Sequence, residues 1–90
     1  MRTIHARIEG RVQGVFFRDC TRQEARRLGI TGWVKNMPDG AVEGTFAGPV
    51  NRIDEMIKWL GTGSPHAIVE KVDIHELHEQ KEYLDFNIIF

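Results

Sequence analysis

Disulfide bonds are excluded within this 90-residue chain, because it holds a single cysteine, Cys20. Cys20 sits among apolar positions and reads as a buried, inert thiol. Long hydrophobic runs are missing too: none approaches the roughly 20 residues that a membrane-crossing helix needs. Residues 1–7 alternate polar and apolar where a secretory leader would carry an apolar block. The expected location is therefore the cytoplasm, with no membrane partner. Charge of one sign is scarce as well. The net charge of −1 gives no basis for bulk nucleic-acid binding. Repeats, low-complexity tracts and linkers are absent, so residues 1–90 read as one domain, expected to be a monomer.

What is present is an ordinary globular composition, 41% hydrophobic and 28% charged. At this length about three-fifths of the unfolded surface can be buried. The charge is unevenly spread. Residues 1–35 carry eight Arg/Lys against three Asp/Glu, a net of +5, and residues 36–90 carry four against ten, a net of −6. An anion would be drawn to the first part, although two unequal solvated faces would give the same numbers.

Residues 3–9 alternate, with Ile4, Ala6 and Ile8 on one face, and predict a half-buried strand. Residues 10–17 break that pattern with Gly10 and Gly14. A helix is expected over 18–28, with Phe17, Cys20 or Thr21, Glu24 or Ala25, and Leu28 at helical spacing and Gly29 as its stop. A strand over 31–37 meets the turn Pro38-Asp39-Gly40, where Pro presets φ and Gly allows a positive one. The return strand covers 42–47. Gly48-Pro49 then opens a second helix, whose Ile53, Met56, Ile57 and Leu60 form an apolar stripe. Residues 61–65 read as a loop, 68–77 as a fourth strand, and Phe86, Ile88 and Phe90 as a short last one. The order predicts an α+β, ferredoxin-like βαββαβ sandwich, an antiparallel sheet with two helices on one face. Val34, Phe46 and Ile89 fall in the odd phase, and the pattern leaves their face open.

The segment from Gly10 to Arg18 carries the clearest chemistry. It runs from a strand through two glycines into a helix start. Glycines let successive N–H groups converge, and a helix N-terminus adds further donors and partial positive charge. The result is an anion cradle. Arg18, where the cradle becomes helix, can give two parallel hydrogen bonds to phosphate oxygens. The residues after Gly14 lack the Lys-Ser/Thr of a nucleotide-binding loop. A plain glycine loop with a solvent-facing Arg18 would show the same residues. Asn36, just before the turn, is either a turn-former or a carboxamide whose oxygen accepts a hydrogen bond from water. Trp33 reads as sheet packing.

Gly10-Arg11-Val12-Gln13-Gly14-Val15-Phe16-Phe17-Arg18 and Gly32-Trp33-Val34-Lys35-Asn36 resemble the two signatures of the acylphosphatase family. Their separation, the chain length and the element order are similar as well. The resemblance implies hydrolysis of the carboxyl-phosphate bond of a small acyl phosphate, with no metal and no organic cofactor. It makes Arg18 the phosphate-binding arginine and Asn36 the residue that positions the attacking water. Backbone amides of Gln13, Gly14, Val15, Phe16 and Phe17 would complete the cradle. Ile89 departs from the pattern, which carries a polar or basic residue there in many members.

Rival readings are weaker. A non-catalytic module that binds phosphate or carbamoyl phosphate would keep Arg18 without needing Asn36. An RNA-recognition module shares the βαββαβ order but needs aromatics on the middle strands, which residues 41–47 lack. His75 and His78, three apart on a strand, face opposite ways and make a poor metal pair. His5 and His66 read as surface or loop residues, and Asp39 as part of the turn.

Overall fold

Alternation along the first strand, β1 (Arg2–Arg11), buries Ile4, Ala6 and Ile8 completely on one side. The computed structural model describes residues 1–78 and 81–90. After β1 come α1 (Phe17–Arg27), β2 (Thr31–Asn36), β3 (Val42–Gly48), α2 (Val50–Thr62), β4 (Ile68–Leu77) and β5 (Phe86–Ile88). The sheet order is β4-β1-β3-β2-β5. Phe17, Ala25, Leu28, Ile53, Met56 and Leu60 of the helical segments join Ile4, Ile8, Val34, Val42, Phe46 and Phe86 of the sheet in one buried cluster. Both helices therefore cover the same face, the ferredoxin-like arrangement.

The sheet is mixed rather than wholly antiparallel, because β5 pairs parallel to β2 while the other three ladders are antiparallel. A short connection favours this. Strand β4 ends at one edge of the sheet and β5 lies at the other, four strand spacings or about 19 Å away. The segment from Leu77 to Phe86 spans at most about 30 Å. Starting β5 at the end of the sheet where β4 stops asks less of that length than starting it at the far end.

Several boundaries and phases differ from the sequence expectation. Gly10 is not part of the loop: β1 runs to Arg11, and Gly10 sits at a bulge in the pairing with β4. Steps of four, four and three residues turn Phe17, Thr21, Ala25 and Leu28 inward. Cys20 is consequently half-exposed on the flank of α1 and not buried. Helix α2 continues through Gly61 and Thr62, which were expected in a loop. Phe90 lies beyond the last strand and is fully exposed. Val34 and Phe46 belong to the core, whereas Ile89 is 38% exposed.

Phe46 reaches the core because glycine makes room for it. It pairs with Gly32 across the β2–β3 ladder, Gly44 lies two residues before it, and its ring stacks on Phe86 at 5.2 Å. A Cβ at Gly32, whose φ is +141°, would lie 1.9 Å from the Thr45 carbonyl oxygen.

The uncovered face of the sheet is polar. Arg7 holds Asp39 and Glu43, and His5 donates from Nε2 to Glu43 at 2.8 Å. His5 is thus a half-buried member of this network rather than a plain surface residue. Hydrogen bonds from Arg7 and from the Ala41 amide hold the Asp39 carboxyl below the usual range. Burial pushes Glu43 up, but the bonds from His5 and Arg7 outweigh it and leave Glu43 lowered.

Two expectations follow. Gly32→Ala should cost roughly 3 kcal/mol, combining strain with a backbone clash. Gly29→Ala, also at positive φ but with open space around it, should cost about 1 kcal/mol. Urea unfolding of both variants decides, and equal losses would refute the close-approach argument. The second concerns acid. Carboxyls lowered in the folded state stabilise it above their unfolded pKa, and that stability is lost as pH falls through the folded values. Arg7→Leu should remove part of this contribution, so its acid unfolding should start at higher pH than in the parent. Coincident acid transitions would place the stabilisation elsewhere.

Candidate active site

Residues 12–16 join β1 to α1, and each is placed by a separate force. Val12 and Val15 turn into the core. The buried Ser64 hydroxyl, from the loop after α2, donates to the Val15 carbonyl at 2.8 Å. Gln13 Nε2 donates to the carbonyls of Met37 and Ala41 at 2.8 and 2.9 Å, joining this loop to the turn after β2. Gly14 takes a φ of +73°. Phe16 takes φ +59°, the one positive value at a non-glycine residue among those described. That conformation costs about 1–2 kcal/mol for a residue with a Cβ. Phe16 is also the N-cap of α1, and no side chain caps the helix there. The first-turn amides, which lack partners within any helix, therefore face the loop with the positive end of the helix dipole behind them.

Asn36 ends β2 in the phase of Gly32 and Val34, so it points to the helix-covered side. The turn behind it closes through Gly40 N–H to the Met37 carbonyl at 3.1 Å and the Ala41 N–H to Asp39 Oδ1, also at 3.1 Å. Asn36 Oδ1 is buried and has no hydrogen-bond partner among the described residues. Such an acceptor costs about 1–3 kcal/mol unless something donates to it.

Arg18 and Asn36 line one cavity of about 370 Å³, with Gly14, Phe16 and Phe17 on its wall. Gln13 and Val15 do not line it, since their side chains point to the turn and the core. Val12, Asp19, Ile88 and Phe90 complete the lining. The Arg18 guanidinium lies 5.4 Å from the centre of the Phe90 ring. Arg2, Arg7, Arg22, Arg26, Arg27 and Arg52 each hold a carboxylate, but Arg18 has no ion pair among the described residues. Asp19, one residue on, is drawn to Arg22 at 3.2 Å. The site thus offers a free guanidinium, uncapped amides and a buried acceptor around one space. That set suits a tetrahedral anion flanked by a donor such as water.

The described residues hold no group of three or more His, Cys, Asp or Glu able to bind a metal. His75 sits opposite His5 on the uncovered face, and His66 is exposed. Sequence reasoning did not single out the Gln13 side chain, Ser64, Asp19, Ile88 or Phe90 for the site. Phe90 carried a signal, since it continues the phase of Phe86 and Ile88. Ser64 carried none.

Comparison with known proteins agrees over nearly the whole chain. The acylphosphatase family model matches residues 4–88. An acylphosphatase of Thiobacillus denitrificans is 48% identical over 86 residues, 96% of this chain and 94% of that protein. One of Rubrobacter xylanophilus is 55% identical over 69 residues, 77% of this chain and 63% of that protein. The crystal structure of an acylphosphatase from Bacillus subtilis superposes with a TM-score of 0.97 at 33% identity, covering all of both chains.

Ser64→Ala should leave the Val15 carbonyl buried and unpaired, costing about 1–3 kcal/mol. It should also weaken inhibition by inorganic phosphate several-fold, because the loop loses its anchor. Urea unfolding and phosphate titration on one preparation test this. Lost stability with unchanged phosphate affinity would separate the anchor from the cradle.

Proposed function

We propose the following division of labour in this chain, which belongs to the acylphosphatase family and hydrolyses the carboxyl-phosphate bond of acyl phosphates. Arg18 forks onto two phosphate oxygens, and the backbone amides of Gly14, Phe16 and Phe17, which line the same cavity, take the rest of the charge. The Asn36 carboxamide oxygen accepts a hydrogen bond from the attacking water. The observation that carries this reading is Asn36 Oδ1, a buried acceptor without a partner among the described residues, on a side chain that lines the cavity with Arg18.

The chemistry asks for little more. Water forms a bond to phosphorus as the bond to the acyl oxygen breaks, and the carboxylate leaves with the electron pair. A carboxylate is a good leaving group and needs no acid. The transition state is loose, so positioning and charge stabilisation supply most of the catalysis. The water proton passes to a phosphate oxygen, since the one carboxylate side chain that lines the cavity among the described residues, Asp19, is held by Arg22. Arg18 and the N-terminus of α1 provide the positive charge that a metal would otherwise supply, so neither metal nor organic cofactor takes part. The rival of a phosphate- or carbamoyl-phosphate-binding module needs Arg18 but gives no return for a buried Asn36 Oδ1 without a partner among the described residues. Among the described residues no helix is long and apolar enough to cross a membrane. We place the enzyme in the cytoplasm as a monomer acting on a small-molecule substrate, without a nucleic-acid partner.

Two substitutions test the roles separately, with benzoyl phosphate as substrate. Asn36→Ala should lower kcat on the order of 10²- to 10³-fold, while inhibition by inorganic phosphate changes far less. Its melting temperature should hold or rise, since a partnerless polar atom is removed. Arg18→Lys should weaken phosphate binding and turnover together, because the planar fork is lost. A folded Asn36→Ala enzyme with near-normal kcat would remove Asn36 from the mechanism.

A further inference from the structure

In-line displacement puts the attacking water and the leaving carboxylate on opposite sides of phosphorus. If Asn36 holds the water, its buried Oδ1 marks the inner end of the reaction axis. The acyl group then points outward, towards the exposed part of the wall. Val12 and Phe17, each 1% exposed, form the inner surface, whereas Phe16 is 73% exposed and Phe90 fully exposed. The rim that the acyl group meets is therefore aromatic.

Packing accounts for neither ring. Phe16 lies outside the buried cluster and occupies a left-handed backbone position that glycine would fill with less strain. Phe90 follows the last strand and lies against the Arg18 guanidinium. Asp19, 49% exposed at its side chain and paired with Arg22, adds a carboxylate to the same wall.

We propose that Phe16 and Phe90 form an acyl-binding rim that selects uncharged, apolar acyl groups, flat aromatic ones best, over small acyl groups or those with a second carboxylate. This rests on the reading of Asn36 as the water-holding residue. A flat acyl group stacks on the rings and keeps their faces dry. A second carboxylate would face Asp19 and give up its hydration for no new donor.

Steady-state kcat/KM on benzoyl, acetyl and succinyl phosphate tests it with the full chain. The parent should rank them in that order. Phe90→Ala and Phe16→Ala should each lower the benzoyl-to-acetyl ratio roughly 3- to 10-fold. Phe90→Tyr should keep the ratio, and Phe16→Gly, free of backbone strain, should lower it even if Phe16→Ala folds poorly. Asp19→Asn should raise the rate on succinyl phosphate relative to acetyl phosphate. An unchanged ratio in the Phe16/Phe90 double variant overturns the proposal. So does an equal fall on all substrates with weaker phosphate inhibition, because Phe90 would then only position Arg18. Failure of the underlying reading looks different: Asn36→Ala would keep its kcat on every substrate, whatever the ratio does.

Discussion

Gln13 Nε2 donates to two carbonyls, those of Met37 and Ala41, and that fork fixes the loop ahead of α1 to the turn behind β2. The two segments are far apart in sequence and belong to different strand connections. Their relative position sets the distance between a guanidinium on α1 and a carboxamide at the end of β2. Ser64 secures the same loop from its other side through Val15. A short, glycine-containing loop is thereby held at both ends by buried or half-buried hydrogen bonds. Such a loop keeps its amides aimed without needing a ligand to order them, which is the condition for preorganised charge stabilisation.

The parts of the chain that break ordinary folding rules lie together. Phe16 adopts a left-handed backbone and, among the described residues, Asn36 buries an acceptor without a partner and Arg18 goes without a carboxylate. Each costs stability or leaves a possible contact unmade. Elsewhere local preference and tertiary packing agree, as in the alternation of β1 and the apolar stripe of α2. A domain whose net stability is about 5–15 kcal/mol can carry a few such violations only if the remainder is consistent.

How much could be read from the sequence follows from how local each determinant is. The phase of β1, the stripe on α2 and the Pro38-Asp39-Gly40 turn depend on neighbours a few residues apart, and those elements were legible. So were Gly14, Phe16, Phe17, Arg18 and Asn36 as a group, which the fold brings to one cavity. The core positions of Val34 and Phe46 were not, because glycines at 32 and 44 erase the alternation that would have marked their face. Cys20 was misread because two helical phases fitted the same apolar letters. The parallel direction of β5 needs the strand order, and the anchoring by Ser64 needs a contact 49 residues away. Neither leaves a periodic trace.

The central place of β1 bears on how the chain reaches this structure. Its partners are β3 on one side and β4 on the other, so Ile4 meets Phe46 and Glu76 rather than anything nearby. On the ribosome, β1 emerges first and neither ladder can close until residues 42–48 and then 68–77 have followed. Its apolar face waits through most of synthesis, sheltered only by what α1 and α2 can offer. Pairings this distant close slowly, since chain entropy is lost before contacts are gained. The late arrival of β4 makes the assembly of the sheet nearly all-or-none, and the apolar face of β1 stays exposed to aggregation until that strand pairs.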